Sequence, residues 1–232
     1  MCLHILLMST FVALPGQLAA AGFPAAEHWK VYLVTMLISF VSVVPFIIYA
    51  EVKRRMKRVF LTCVALLLIA EIVLWGSGPH FWELVIGVQI FFLAFNLMEA
   101  LLPSLISKES PAGYKGTAMG IYSTSQFLGV AIGGSLGGWV NGFFDSQTVF
   151  LAGALLAMVW LLVASTMKEP RYVSSLRIEI PEGVDISDAL KQRLETKEGI
   201  SEVLLVPEER SAYVKIDSKV TNRFEVELAI KA

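Results

Sequence analysis

The sequence predicts an all-α membrane bundle of six transmembrane helices, followed by a small α+β domain. Of its 232 residues, 56% are hydrophobic, whereas a soluble domain usually has about 45–50%. The apolar runs end near Pro170, and after this point charged and polar residues alternate with single aliphatic ones. We therefore expect residues 1–171 to form the bundle and residues 172–232 to form a separate cytosolic domain.

Six windows are long and apolar enough to cross a bilayer, which takes about 20 residues. They cover residues 2–21, 29–50, 59–76, 82–107, 116–142 and 148–167. The first window ends in LAAAG, as a secretory signal peptide does, but it has no basic start and contains Pro15 and Gln17. Because five further spans follow it, we interpret it as a spanning helix.

Basic residues in the loops predict the orientation of these spans. The loop EVKRRMKR holds five Lys and Arg residues, and KESPAGYK and the exit segment MKEPR hold two each. The loops GSGPHF and FFDSQ hold none, and GFPAAEHWK holds only Lys30. Loops rich in Lys and Arg face the cytoplasm, so we expect both termini there.

The tail changes to the period of a β-strand and then of a helix. Leu176, Ile178 and Ile180 alternate with charged residues, which predicts a half-buried strand. A helix follows, for which Asp185 or Ser187 is the expected cap and Gly199 the stop. The core-facing residues expected on it are Ile186, Leu190 and Leu194.

The end of the tail predicts a hairpin and a last helix. The segments SEVLLV and AYVKI flank the turn PEERS. The last helix is expected to start at Thr221 and to turn Phe224 and Leu228 inward. The resulting order β-α-β-β-α is a ferredoxin-like unit without its final strand. The strand edge left open in this way predicts self-association through the C-terminal domain.

The fifth window is unusual because it is rich in glycine, which costs roughly 1 kcal/mol against alanine inside a helix. Its stretch GIYSTSQFLGVAIGGSLGGW contains Gly120, Gly129, Gly133, Gly134, Gly137 and Gly138. Glycine lets a neighbouring backbone approach closely, so these positions predict tight helix packing.

The spacing of these glycines resembles the antiporter signature of the major facilitator superfamily. In that family a Gly-Pro pair precedes the last two glycines, and here Gly134 stands in the place of the proline. The full motif belongs to the fifth family helix, and a weaker copy recurs in the eleventh. The resemblance therefore implies that this chain is the second half of the fold. The first-half bundle, in the same longer chain or in a partner chain, is then the missing partner.

The loop AEVKRRMKR resembles the second copy of the family's cytoplasmic loop signature, in which an acidic residue precedes a basic cluster. Glu51 matches the acidic position, and the basic positions are matched by Arg55, Lys57 and Arg58. Arg54 stands where the signature has its central glycine. Ile47 and Val52 also depart from the pattern. We expect this cluster to enforce the orientation and to keep a residual gating contact.

Polar side chains inside spans are the candidates for a substrate or proton pathway, because they are costly in hydrocarbon. Those of the fourth span are Gln89, Asn96 and Glu99, those of the fifth are Tyr122 and Gln126, and the first span has Gln17. A carboxyl desolvated at the depth of Glu99 can take up and release a proton. The alternative is that Glu99 makes a structural hydrogen bond between helices.

Two further ionisable residues lie in the spans. We expect Glu71, nearer the outer end of the third span, to snorkel to the interface, with a pathway role as the alternative. We expect His4 to be a satisfied side chain near the cytoplasmic end of the first span.

The sequence predicts neither a cofactor nor a metal site. The tail resembles heavy-metal-associated domains in its β-α-β-β-α order, but Ile186 and Ala189 stand where both metal-binding cysteines belong. Without thiolates there is no site for a soft metal. The net charge of −1 gives no footprint for nucleic acid.

The function implied by the resemblance is secondary active transport in a bacterial inner membrane, with proton-coupled efflux or antiport of small molecules. An alternative is a membrane-anchored sensor or scaffold whose helices merely hold the small domain. Another is a half-transporter without transport activity. The sequence has none of the HExxH, nucleophile-elbow or P-loop motifs that would indicate an enzyme.

Overall fold

The fold was described from a computed structural model, which describes residues 1–170 and 172–231. Six long helices come first: α1 Cys2–Ala20, α2 His28–Val52, α3 Met56–Gly76, α4 Phe81–Glu109, α5 Lys115–Phe143 and α6 Ser146–Ser165. The small elements that follow are β1 Ser174–Glu179, α7 Asp188–Glu195, β2 Ile200–Val206, β3 Ser211–Ile216 and α8 Arg223–Lys231. The predicted fold class, a helical bundle followed by a small α+β domain, is therefore confirmed.

The chain divides into two compact units. One consists of Met1–Leu102 with Tyr122–Glu169, and the other of Pro103–Ile121 with Pro170–Ala232. The second unit thus combines the tail with the end of α4, the start of α5 and the loop that joins them. The predicted boundary between residues 171 and 172 falls at Arg171, which lies outside the described residues, as does Ala232. It remains a prediction.

Each of the six predicted windows forms a helix, but not all six are equally apolar. Within the described residues, five helices are long and apolar enough to cross a membrane, namely those at Cys2–Ala20, Ala25–Val52, Met56–Gly76, Phe81–Glu109 and Ser146–Ser165. Helix α5 is long enough, but its glycines and its serine and threonine residues lower its hydropathy. The sixth span therefore remains a prediction.

The core of the first unit is built from the inward faces of the long helices. Leu14 and Leu18 of α1 pack with Leu84 of α4 and Phe150 of α6 in one cluster of buried side chains. Helix α6 begins with a side-chain cap, because Asp145 Oδ1 accepts hydrogen bonds of 2.7 Å from both the backbone N–H and the hydroxyl of Thr148. These hydrogen bonds lower the pKa of Asp145 below its ordinary value.

The tail forms a three-stranded antiparallel sheet in the order β1-β3-β2. Helices α7 and α8 contribute Leu190, Leu194 and Val226 to a core that also contains Val214 of the central strand β3. This arrangement agrees with the predicted β-α-β-β-α order, and β1 lies at an edge of the sheet. One side of the sheet is covered by its own helices.

The prediction for the last helix was wrong. Phe224 and Leu228 are 67% and 51% exposed, whereas Val226 and Ile230 are buried. Helix α8 has two pairs of apolar residues with an i, i+4 spacing, Phe224 with Leu228 and Val226 with Ile230, on nearly opposite faces. The sequence pattern alone does not tell which pair faces the core. The helix starts at Arg223, and Asn222 accepts the backbone N–H of Glu225 at 3.0 Å. This start fixes which pair faces the sheet.

Candidate functional site

Helix α5 lies directly against α1 through three of its glycines. Gly129, Gly133 and Gly137 are buried and share one face of α5. A Cβ atom at Gly129 would lie 2.6 Å from the Met1 carbonyl oxygen, and one at Gly137 would lie 2.7 Å from Ser9 Cα. Gly133 faces the backbone of Ile5 in the same way. No side chain larger than hydrogen fits between the two backbones, so these glycines set the distance between α1 and α5.

The other glycines of the predicted motif do not take part in this contact. A Cβ atom at Gly120, Gly134 or Gly138 would meet no heavy atom of the described residues within 4 Å. Gly134 and Gly138 lie one turn apart and follow directly after Gly133 and Gly137 in sequence. The predicted motif therefore serves two faces, one packed on α1 and one turned away from it.

Where α1 and α5 approach each other, four polar side chains from α1, α4 and α5 come together. The amide nitrogen Nε2 of Gln126 lies 3.3 Å from Glu99 Oε2 and 3.0 Å from the Tyr122 hydroxyl oxygen. His4 Nε2 lies 3.3 Å from the same amide nitrogen and 3.4 Å from Glu99 Oε1. We call His4, Glu99, Tyr122 and Gln126 the polar cluster. It joins three helices within a bundle that is otherwise mostly apolar.

The polar cluster contains more acceptors than its central donor can serve. The Gln126 amide has two hydrogens, but Glu99 Oε1, Glu99 Oε2, the Tyr122 hydroxyl and His4 Nε2 all lie within hydrogen-bonding distance. The Tyr122 hydroxyl carries a hydrogen of its own, and His4 Nε2 carries one in one of the two tautomers of the ring. The hydrogen bonds of the cluster can therefore be arranged in more than one way. A proton between Glu99 Oε1 and His4 Nε2 satisfies both atoms, so the arrangement suits a group that gains and loses one proton.

The members of the cluster differ in how far they are buried within the chain. The Glu99 side chain is 33% exposed, whereas the His4 side chain is 10% exposed. His4 Nδ1 is buried and has no hydrogen-bond partner among the described residues. Glu99 therefore lies nearer the surface of the chain than His4 does.

The structure separates the remaining predicted pathway residues from this cluster. Gln89 Nε2 donates a 2.6 Å hydrogen bond to Ser39 Oγ of α2, so Gln89 joins α4 to α2. Asn96 lies one turn before Glu99 on α4, and its Nδ2 atom is buried without a partner in the described part of the chain. Gln17 is half-buried on α1. It lies thirteen residues after His4, so the two residues are separated by roughly 20 Å along the helix.

His4 belongs to the cluster although it was not among the residues predicted for the pathway. It was expected to be a satisfied side chain near the cytoplasmic end, but one ring nitrogen faces Glu99 and Gln126 and the other has no partner among the described residues. The sequence offers little indication of this contact, because no other polar residue lies at a helical spacing of three or four from this histidine. Only the glycine contact with α5 reveals what it faces.

Glu71 forms a second buried polar contact, and its predicted snorkelling was wrong. Its side chain is fully buried on α3, and Thr10 of α1 donates a 2.7 Å hydrogen bond to its Oε1 atom. Gly153 of α6 gives it room, because a Cβ atom there would lie 2.7 Å from Glu71 Oε2. A carboxyl in such a place is costly unless it is neutral or paired. Glu71 therefore links α1, α3 and α6.

The basic loop is shorter than the sequence pattern suggests. Helix α2 ends at Val52 and α3 starts at Met56, so Glu51 lies in a last helical turn and Lys57 and Arg58 in a first one. Arg54 adopts φ +51, a left-handed conformation that favours glycine. This conformation agrees with the resemblance, in which Arg54 stands at the position of the signature's central glycine. The predicted gating contact of Glu51, Arg55, Lys57 and Arg58 remains a prediction.

Comparison with known proteins finds similarity to membrane transport proteins. Residues 176–232 match the family model of the YajR YAM domain. The chain is 79% identical over 231 residues to the inner membrane transport protein YajR of Escherichia coli, covering 100% of this chain and 51% of that protein.

More distant relatives also have names that refer to transport. An uncharacterized transporter of Buchnera aphidicola is 41% identical over 131 residues, which cover 56% of this chain and 34% of that protein. A multi-drug resistance efflux pump PmrA homolog of Lactococcus lactis is 34% identical over 86 residues, which cover 37% of this chain and 21% of that protein. The chain thus spans about half the length of the E. coli relative, and less of the others. The uncharacterized MFS-type transporter YhcA of Bacillus subtilis is 24% identical over 102 residues, which cover 42% of this chain and 19% of that protein. The predicted resemblance to transporters of the major facilitator superfamily is confirmed, and the similarity to YajR adds a YAM domain at residues 176–232.

Proposed function

We propose that this chain is the second half of a proton-coupled secondary transporter, in which the polar cluster is the proton site. The observation that carries the proposal is the contact of His4, Glu99 and Gln126 from three different helices. Ionisable groups inside spans are rare and usually functional. The names of the relatives support transport in an inner membrane, and the basic loops support cytoplasmic termini.

The cluster suits coupling because its hydrogen bonds change with the protonation of Glu99. An ionised Glu99 accepts from the Gln126 amide and attracts a protonated His4. A neutral Glu99 carries its own donor and releases Gln126 to bond with Tyr122 or His4. Since the partners lie on α1, α4 and α5, gain or loss of one proton alters the contacts between these three helices. A substrate site between two six-helix halves would respond to such a change.

The missing first-half bundle is proposed to cover α2 and the open glycine face of α5. Helix α2 exposes many large apolar side chains, among them Leu37, Phe40, Val41, Val44 and Ile48. Lipid tails satisfy such side chains, but they gain little from contact with Gly134 and Gly138. Glycine faces in membranes usually receive another helix. We infer that a helix of the first half packs there.

Substitution of neighbouring glycines tests this arrangement. Gly133→Ala should destabilise the 232-residue chain by about 1–3 kcal/mol, because its new methyl group meets the Ile5 backbone. Gly134→Ala should leave the same chain unchanged or slightly more stable, because its Cβ atom meets open space and alanine favours a helix. In the complete protein both substitutions should destabilise. Thermal unfolding in detergent measures the stability of both variants, each in the 232-residue chain and in the complete protein.

A Gly134→Ala variant that is as stable as the wild type in the complete protein would contradict the proposed packing of the first half. The Gly133→Ala variant serves as its matched control, since both add one methyl group to the same turn of α5.

Glu99→Gln tests the proton site. In the complete protein, this isosteric change removes the titrating group, so pH-driven transport should fall at least tenfold and lose its dependence on the imposed pH gradient. Efflux of a fluorescent cationic dye from proteoliposomes measures both. Glu83→Gln, at an exposed position of the same helix, is the matched control and should transport as the wild type does.

Unchanged pH-dependent efflux by Glu99→Gln would remove Glu99 from the proton pathway. If the wild-type protein shows no pH-driven transport of any tested solute, the alternatives of an anchored sensor or scaffold and of a half-transporter without activity are favoured instead.

Self-association through the C-terminal domain is a further proposal. Within the described residues, strand β1 pairs with β3 on one side only, and an edge strand is a template for pairing with a second copy. Sedimentation of segment 172–232, which has its own core, should show a dimer at high concentration. A strictly monomeric segment would exclude pairing of this kind.

A further inference from the structure

The sheet of the small domain has a second face that its own helices do not cover. Side chains alternate along a strand, so Ala212, Val214 and Ile216 of β3 point into the core with α7 and α8. Tyr213 and Lys215 of the same strand therefore point to the opposite face. In a three-stranded sheet covered on one side, such residues would ordinarily be exposed to water.

Lys215 is nevertheless buried on this open face. Its side chain is only 6% exposed, and its Nζ atom lies 3.7 Å from Glu202 Oε2 of β2. The ammonium also donates a 2.8 Å hydrogen bond to the backbone carbonyl oxygen of Lys108, in the last turn of α4. A lysine is almost never buried without such partners. Its charge is favourable at this position, because the carbonyl end of a helix attracts cations.

The loop between α4 and α5, residues 110–114, packs on the same face. Ser110 and Ala112 of this loop are 5% and 3% exposed. Gly113 adopts φ +80, and a Cβ atom on it would lie 2.5 Å from Leu204 Cδ2 and 3.7 Å from the Tyr213 ring. Lys108 adds a contact with the ring of Tyr172, 5.7 Å from its Nζ atom. The sheet face thus holds both the loop and the end of α4.

We propose that the open face of this sheet is an intramolecular docking surface for the α4–α5 loop, with Lys215 as its anchor, and that it restrains the helices carrying Glu99 and Gln126. Glu99 lies nine residues before Lys108 on the same helix, α4. A loop held at one end limits how α4 and α5 move. The docking claim stands alone, whereas its regulatory consequence rests on the proposed transport function.

Hydrogen exchange of the 232-residue chain, read by mass spectrometry in detergent, tests the docking. Lys215→Met removes the ammonium but keeps the length of the side chain, so exchange in residues 108–116 should rise at least tenfold. Strands β1–β3 should keep their protection and serve as the internal control for folding. Lys219→Met, at an exposed position, should change neither segment.

A second pair of variants tests the docking from the loop. Gly113→Ala and Gly183→Ala both place alanine at a positive φ, at +80 and +97, so both pay a similar backbone cost. Only the methyl group at position 113 meets Leu204, because position 183 has no described heavy atom within 4 Å of its Cβ. Gly113→Ala should therefore raise exchange in residues 108–116, and Gly183→Ala should leave it unchanged.

Unchanged loop exchange in Lys215→Met would overturn the docking. If Lys215→Met unfolds the sheet, the Gly113→Ala variant is used instead, and unchanged loop exchange in that variant would overturn the docking. In the complete protein, release of the loop should raise the rate of pH-driven dye efflux at least threefold. A released loop with an unchanged efflux rate would overturn the regulation and leave the docking intact. A wild-type protein without any efflux would count against the proposed function, while the exchange data would still decide the docking.

Discussion

The contact of α1 with α5 through Gly129, Gly133 and Gly137 is the constraint on which the polar cluster depends. It brings two backbones closer than any side chain allows. A Cβ atom at Gly129 would lie only 3.0 Å from His4 Cβ, so the close approach places the histidine beside α5, where its ring reaches Gln126 of α5 and Glu99 of α4. Without this approach, His4 would be an isolated polar side chain in an apolar helix, which is costly.

The carboxyls of Glu71 and Glu99 in the bundle have different surroundings, and the difference favours different roles. Glu71 is fully buried and has one short hydrogen bond from Thr10, so it suits a fixed link between helices. Glu99 is partly exposed and shares its partner with a histidine and a tyrosine. A group that exchanges protons needs alternative partners, and this is why the proposed proton site is Glu99 and not Glu71.

Much of the fold could be predicted from the sequence because its signals are local. Apolar length predicted the long helices, and a period of two predicted β1. The inward face of α8 was missed because two i, i+4 apolar pairs compete on one short helix. The site was predicted in part: Glu99, Tyr122 and Gln126 follow from their cost in a membrane. His4, Thr10 and Lys215 were missed, since their partners lie far away in sequence and become visible only when the chain is folded.

The central claim is that Glu99 gains and loses a proton within the polar cluster. Infrared difference spectroscopy of the 232-residue chain, between an acidic and an alkaline pH, measures this event directly through carboxyl bands. The account predicts a carboxyl band change that disappears in Glu99→Gln and persists in Glu71→Gln. A difference spectrum of Glu99→Gln that is identical to that of the wild type would contradict it.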